Sequence, residues 1–172
     1  KSITIYMKNY FLGCFVLFIS ACSTNSEPAS GFINLSEDKF QIGSDKTVDL
    51  FKAFDSAWAN QDYSSLETMV SLDASFEFHD GRIANGAEEF ITLIKEEAAK
   101  EEALGITFSW TSEYAFAVSL GSDDEGEWVN AGFTAKADNP QEGVVEKTHN
   151  EWYYFKDGKV EQWYQTIRKS KE

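Results

Sequence analysis

The stretch Asn60-Gln61-Asp62-Tyr63-Ser64-Ser65-Leu66-Glu67-Thr68-Met69-Val70-Ser71-Leu72-Asp73-Ala74-Ser75-Phe76 decides the fold. Its polar opening breaks a helical pattern. Leu66, Met69 and Val70 then recur at spacings of three and four, which predicts a short second helix. From Ser75 to His79 polar and apolar residues alternate, as in a half-buried strand. Upstream, Thr47, Leu50, Phe51, Phe54, Ala57 and Trp58 share one face of a helix that begins near Asp45. Downstream, Asp80 to Gly86 reads as a loop. Asn85 is placed to cap a third helix, with Glu88 in the capping-box position. The apolar stripe of that helix is Ala87, Phe90, Ile91, Ile94 and Ala98; it runs to about Glu102, and Gly105 ends it.

The rest is β. Ile106, Phe108, Trp110, Tyr114, Phe116 and Val118 alternate along one long strand. An acidic turn leads into Trp128 to Lys136, and Asp138-Asn139-Pro140 turns into a strand from Val144 to Phe155. Asp157-Gly158 is a two-residue hairpin signal, and the last strand covers Lys159 to Arg168. Helix, helix, strand, helix and four antiparallel strands make an α+β layer, with helices on one face of a curved sheet.

Composition narrows the function. The chain has 172 residues, 15 Lys+Arg against 29 Asp+Glu and a formal charge of −14. That balance speaks against a nucleic-acid partner, whose binding begins with cations neutralising phosphates. With 42% hydrophobic and 15% aromatic residues there is material for a real core. Two His and no usable Cys cluster leave no recognisable metal-ligand spacing. No Gly-rich phosphate loop or Gly-x-Ser-x-Gly elbow appears, so no cofactor is expected.

The N-terminal segment reads as an address. Met7, a candidate start, is followed by Lys8-Asn9, the apolar run Tyr10 to Ile19, and Ser20-Ala21-Cys22. A basic residue, about ten apolar residues and small residues before a cut describe a secretory signal, too short to span a bilayer. Ile19-Ser20-Ala21-Cys22 resembles the lipobox of bacterial lipoproteins. The resemblance implies that residues 1–21 are removed and that acyl chains such as palmitate anchor Cys22 to a membrane. Residues 22–44 would form a flexible tether and 45–170 the folded domain. The expected location is the cell envelope, outside the cytoplasm, and the outer membrane where there are two. Losing Lys1 and Lys8 would leave 13 Lys+Arg against 29 Asp+Glu, a formal −16.

The element order and the quoted stretch, with Phe78-His79-Asp80 and Phe155-Lys156-Asp157-Gly158-Lys159-Val160, resemble the nuclear-transport-factor-2-like superfamily, and its SnoaL-like branch most. The resemblance implies a cone in which a bent sheet encloses a pocket against the helices. It implies an inward face of His149, Glu151, Tyr153 and Phe155, with Trp163, Gln165 and Ile167 opposite. Phe54, Trp58, Phe78 and Trp110 complete the expected pocket. It also implies that two copies can pair through the outer face of the sheet.

The resemblance leans away from catalysis. Ketosteroid-isomerase-like members use a base and two proton donors; these positions fall on Phe78, Phe54 and Glu151. SnoaL-like cyclases use an acid on the last strand, where Gln165 stands. The remaining candidates are the pair His149–Glu151, which share a strand face, and Asp80 beside His79. Against these stand a solvated stripe of Lys147, His149 and Glu151, and a plain turn at Asp80. The leading expectation is a lipid-anchored domain that binds a small, partly apolar molecule. The alternatives are a hydro-lyase or isomerase using His149–Glu151 or Asp80, and a non-catalytic dimeric envelope module with a filled cone.

Overall fold

In the computed structural model, which describes residues 29–34, 37–121, 125–138 and 144–171, short strands precede the first helix. β1 (Ala29–Ser30) and β2 (Phe40–Ile42) lead into α1 (Asp45–Ala59), α2 (Tyr63–Met69), β3 (Val70–Glu77), β4 (Ile83–Asn85) and α3 (Gly86–Ala103). Four long strands follow: β5 (Phe108–Ser119), β6 (Glu127–Ala137), β7 (Val144–Lys156) and β8 (Lys159–Lys171). Among the described residues the strands form one sheet in the order β1-β2-β5-β6-β7-β8-β3-β4. The last four strands are an antiparallel meander, and β3 joins β8 in parallel, so the sheet is mixed. The three helices cover one face of it.

The core lies between that face and the helices. Phe51 and Phe54 of α1, Phe76 of β3, Phe90 of α3, and Tyr153 and Trp163 of the last two strands are almost fully buried. Their rings stack and meet edge-on, with Phe76 and Phe90 centroids 4.0 Å apart. The last hairpin turns where expected. Asp157 and Gly158 both have positive φ, 50° and 78°, as a type I′ turn requires.

Several boundaries differ from the sequence reading, each for a physical reason. The stretch expected to be tether contributes Gln41 and Ile42, which pair with Ser119 and Val118 at the sheet edge. Val70, expected on the second helix, opens β3 in extended backbone (φ −102°, ψ 140°). The loop from Asp80 to Gly86 contains β4, paired with the end of β3. The Asn85 side chain makes no capping bond. Glu89, not Glu88, reaches back to accept the Asn85 backbone N–H at 2.8 Å. The signal-like segment with Met7, Cys14 and Cys22 lies outside the described residues, as does most of the turn at Asn139-Pro140. Among the described residues no helix is long and apolar enough to cross a membrane.

The most consequential difference is in β5. Its pairing with β6 slips between Ser112 and Tyr114, so one residue is inserted as a bulge and the alternation changes face. Trp110 faces the helices, whereas Tyr114 and Phe116 stand on the outer face with Trp128 and Trp152. The even spacing of these aromatics had put them on a single face. Gly132 sits opposite Tyr114, and a Cβ there would lie 2.3 Å from the ring. The absent side chain lets the ring lie flat on the sheet.

Glu127 of β6 ties the sheet to the start of α1. Its carboxylate accepts the Ser44 backbone N–H at 3.0 and 3.1 Å, the Ser44 hydroxyl at 2.7 Å and the Thr47 hydroxyl. A negative charge at a helix N-terminus also meets the helix dipole. Burial raises the Glu127 pKa, but the bonds from Thr47 and Ser44 outweigh it, and the net shift is downward. With the folded pKa below the unfolded one, the stabilisation is complete at neutral pH and fades as pH falls through the folded value. Glu127→Gln is expected to lower unfolding free energy by about 1 kcal/mol near pH 7. In denaturant melts its deficit should shrink as pH falls below the ordinary carboxylate range.

Candidate functional site: a carboxylate-lined cavity in the cone

The register of the last hairpin determines what faces the helices. Tyr153 pairs with Trp163, Glu151 with Gln165 and His149 with Ile167, so all six project to the same side. A bulge between Tyr154 and Phe155 shifts the start of β8, so that Val160 and Trp163, three apart, are both buried on that side.

Glu151 is the centre of this face. It is 4% exposed, and donors converge on its carboxylate. The Trp163 indole N–H donates to Oε2 at 3.0 Å and Gln165 Nε2 to Oε1 at 2.9 Å. The Tyr153 hydroxyl donates to Oε2, and His149 Nδ1 lies 3.3 Å from Oε1. Burial works to raise the Glu151 pKa; bonds from His149, Gln165 and Tyr153 overcome it, and the carboxyl stays below its ordinary value. Burial and the Glu151 charge push the Tyr153 hydroxyl well above its ordinary value, so it remains a donor. The solvated stripe of Lys147, His149 and Glu151 is therefore not what forms. Lys147 bonds Glu101 at 3.0 Å and lies over the Phe108 ring, while Glu151 is in the core.

A cavity of about 150 Å³ opens in front of this group. Its walls include Trp58, Trp110, Phe133 and Tyr153, and its polar groups are Asp55, Glu101, His149, Glu151 and Gln165. The cone is therefore not filled. A wider groove of about 850 Å³ continues toward solvent between α3 and the sheet and shares Trp58, Trp110, His149 and Gln165 with the cavity. Phe78 and His79 line the groove, and His79 Nδ1 lies 3.1 Å from Gln165 Oε1. Asp80 lines neither space. It turns away to pair with Arg82 at 2.8 Å in the turn after β3. Phe54 and Trp163 are fully buried behind the cavity and shape it without lining it.

The sequence reading missed Asp55. On α1 it follows Phe51 by one turn and precedes Trp58 by three residues, so a carboxyl stands among the apolar positions of the helix. That interruption was the available signal. Burial first, and the Glu151 charge second, raise its pKa, opposed by a hydrogen bond from the Trp110 side chain. Glu97 and Glu101 also border the groove, Glu97 on Arg82 at 2.9 Å and Glu101 on Lys147. Among the described residues no group of three or more His, Cys, Asp and Glu is disposed to hold a metal ion.

No family model matches the sequence, and no curated protein matches it. Solved structures do match the fold. Aln2 from a Streptomyces species superposes with a TM-score of 0.57 at 12% identity, over 75% of this chain and 94% of that one. A candidate ketosteroid isomerase from Kribbella flavida gives 0.56 at 9% identity, over 76% and 84%. A nuclear-transport-factor-2-like protein from Burkholderia xenovorans gives 0.52 at 15% identity, over 74% and 92%. The fold is the nuclear-transport-factor-2-like cone. At these identities the likeness extends to the architecture alone, and the chemistry must come from the residues in this cavity.

The two carboxyls respond to pH with opposite signs. Glu151 has a folded pKa below its unfolded value, so its contribution is present at neutral pH and is lost as pH falls below the ordinary carboxylate range. Asp55 has a folded pKa above its unfolded value, so its ionisation costs stability as pH climbs through that raised value. Glu151→Ala leaves several buried donors unpaired and is expected to cost about 3–5 kcal/mol at pH 7. Asp55→Asn is expected to raise the melting temperature at pH 7 and to leave it unchanged in strong acid. Calorimetric melts of both variants across pH check the signs.

Proposed function

We propose that the domain binds a small, partly apolar molecule in its cone. The observation that carries this is the cavity itself, where aromatic walls meet Asp55, His149 and Glu151 in a space continuous with a wider groove. Such a mixture, apolar with few convergent polar groups, is what ligand sites use. We place the domain in the SnoaL-like branch. We further propose that a lipid on Cys22 anchors it outside the cytoplasm, on the strength of the lipobox-like Ile19-Ser20-Ala21-Cys22. Tyr114, Phe116 and Tyr164, half-exposed on the outer sheet face, are where we place self-association; a monomer by light scattering at high concentration would count against it.

One contact favours a second reading, an acid–base enzyme. Glu151 holds His149 through Nδ1, and His149 Nε2 is buried without a partner. An imidazole oriented by a buried carboxylate can exchange protons at its other nitrogen. Turnover of a bound ligand that disappears in His149→Ala, with binding retained, would establish this reading.

A thermal-shift screen of the full chain against small carbonyl, amine, carboxylate and steroid-like compounds tests the binding function. At least one class should raise the melting temperature and quench the Trp58 and Trp110 fluorescence. Silence across the library would overturn it. Separately, Cys22→Ser should move the protein from the membrane fraction to the soluble one.

A further inference from the structure

The cavity offers more acceptors than donors. Glu151 is saturated by its four neighbours. Among the described residues no Lys or Arg lines the cavity, and Lys147 in the adjoining groove is committed to Glu101 and the Phe108 ring. Asp55, half-buried at the cavity wall, has the Trp110 side chain as its hydrogen-bonding neighbour and no ion pair among the described residues. His149 adds a second acceptor. Gln165 Nε2 lies 3.4 Å from His149 Nδ1, but a carboxylate can only accept; with Nδ1 donating to Glu151 at 3.3 Å, Nε2 of the neutral ring carries a lone pair. That atom is buried and unpartnered.

The walls agree with this polarity. Trp58, Trp110 and Phe133 surround the space, and aromatic rings attract a cation through the negative potential of their faces. An anionic ligand would meet Asp55 and Glu151 with no free positive charge to offset them. A neutral acceptor would find no donor opposite Asp55.

We propose that the cavity recognises a small protonated amine, whose N–H groups donate to Asp55 and His149 Nε2 while Trp58 and Trp110 enclose its cationic end. This specifies the ligand class of the binding function above and rests on it. The cavity of about 150 Å³ suits the amine-bearing end, and the adjoining groove of about 850 Å³ can take a longer body.

Titration calorimetry of the full chain with three matched probes tests the inference: benzylamine, benzyl alcohol and benzyltrimethylammonium. Benzylamine should bind about tenfold or more tightly than benzyl alcohol. Asp55→Asn should abolish that preference by weakening benzylamine far more than benzyl alcohol. Trp110→Leu, at a residue 42% exposed, should weaken benzylamine more than benzyl alcohol and does not depend on how α1 tolerates substitution. Benzyltrimethylammonium, which has the charge but no N–H, should bind less tightly than benzylamine. Equal binding of the amine and the alcohol, or a preference that survives Asp55→Asn, would overturn amine recognition and leave small-molecule binding standing. Tighter binding of the trimethylammonium probe would overturn the role of His149 Nε2. No binding of any probe would also overturn the inference, while the broader library screen decides the binding function by itself.

Discussion

The buried carboxylate of Glu151 is the constraint from which the site follows. An ionised group in the core is costly unless donors surround it, and here they come from two adjacent strands. Tyr153 and His149 flank it two residues away on β7, while Trp163 and Gln165 reach it from β8. This set exists in only one strand register, because a slip of one residue would turn each of these side chains to the opposite face. The turn at Asp157-Gly158 and the bulge between Tyr154 and Phe155 together set that register. A turn and one inserted residue at the end of the hairpin thus determine a buried electrostatic centre further along both of its strands.

The cavity in front of Glu151 is shaped by irregularities in the sheet. The bulge in β5 turns Trp110 inward and sends Tyr114 and Phe116 outward. Without it, the same alternation would leave these rings on one side, and the mouth of the cone would lose its aromatic wall. The bulge in β8 similarly brings Val160 and Trp163 onto one face at a spacing of three. Bulges bend and twist a sheet as well as re-aiming side chains, so the features that curve this sheet also assign its lining.

Much of the site was legible in the chain. Strict alternation identified the inward run His149, Glu151, Tyr153 and Phe155. Its expected partners Trp163, Gln165 and Ile167 share that face only through the bulge between Tyr154 and Phe155, since an unbroken hairpin would pair Glu151 with Tyr164. Asp80 parted from His79 because the turn after β3 holds it on Arg82. Asp55 was signalled only by its interruption of an apolar helix face, and Glu101 not at all, because a carboxyl on a helix is ordinarily solvated. The exchange of Glu89 for Glu88 in capping α3 has the same origin. The Asn85 backbone N–H takes whichever carboxylate the helix entry angle presents.

By itself the sequence determined the three helices, the long strands, their order, the last hairpin and the alternating face of β7, because these depend on periodicity and turn chemistry within short windows. It also carries the acidic balance and the lipobox-like Cys22 segment that motivate the proposed anchor. Only the tertiary structure decided that Glu151 is buried among four donors, that Asp55 joins it across the cavity, and that Trp110 lines the cone while Tyr114 does not. Those outcomes depend on where α1 lies against the sheet and on one inserted residue in β5. Both are set by packing between segments distant in the chain, which no local pattern encodes.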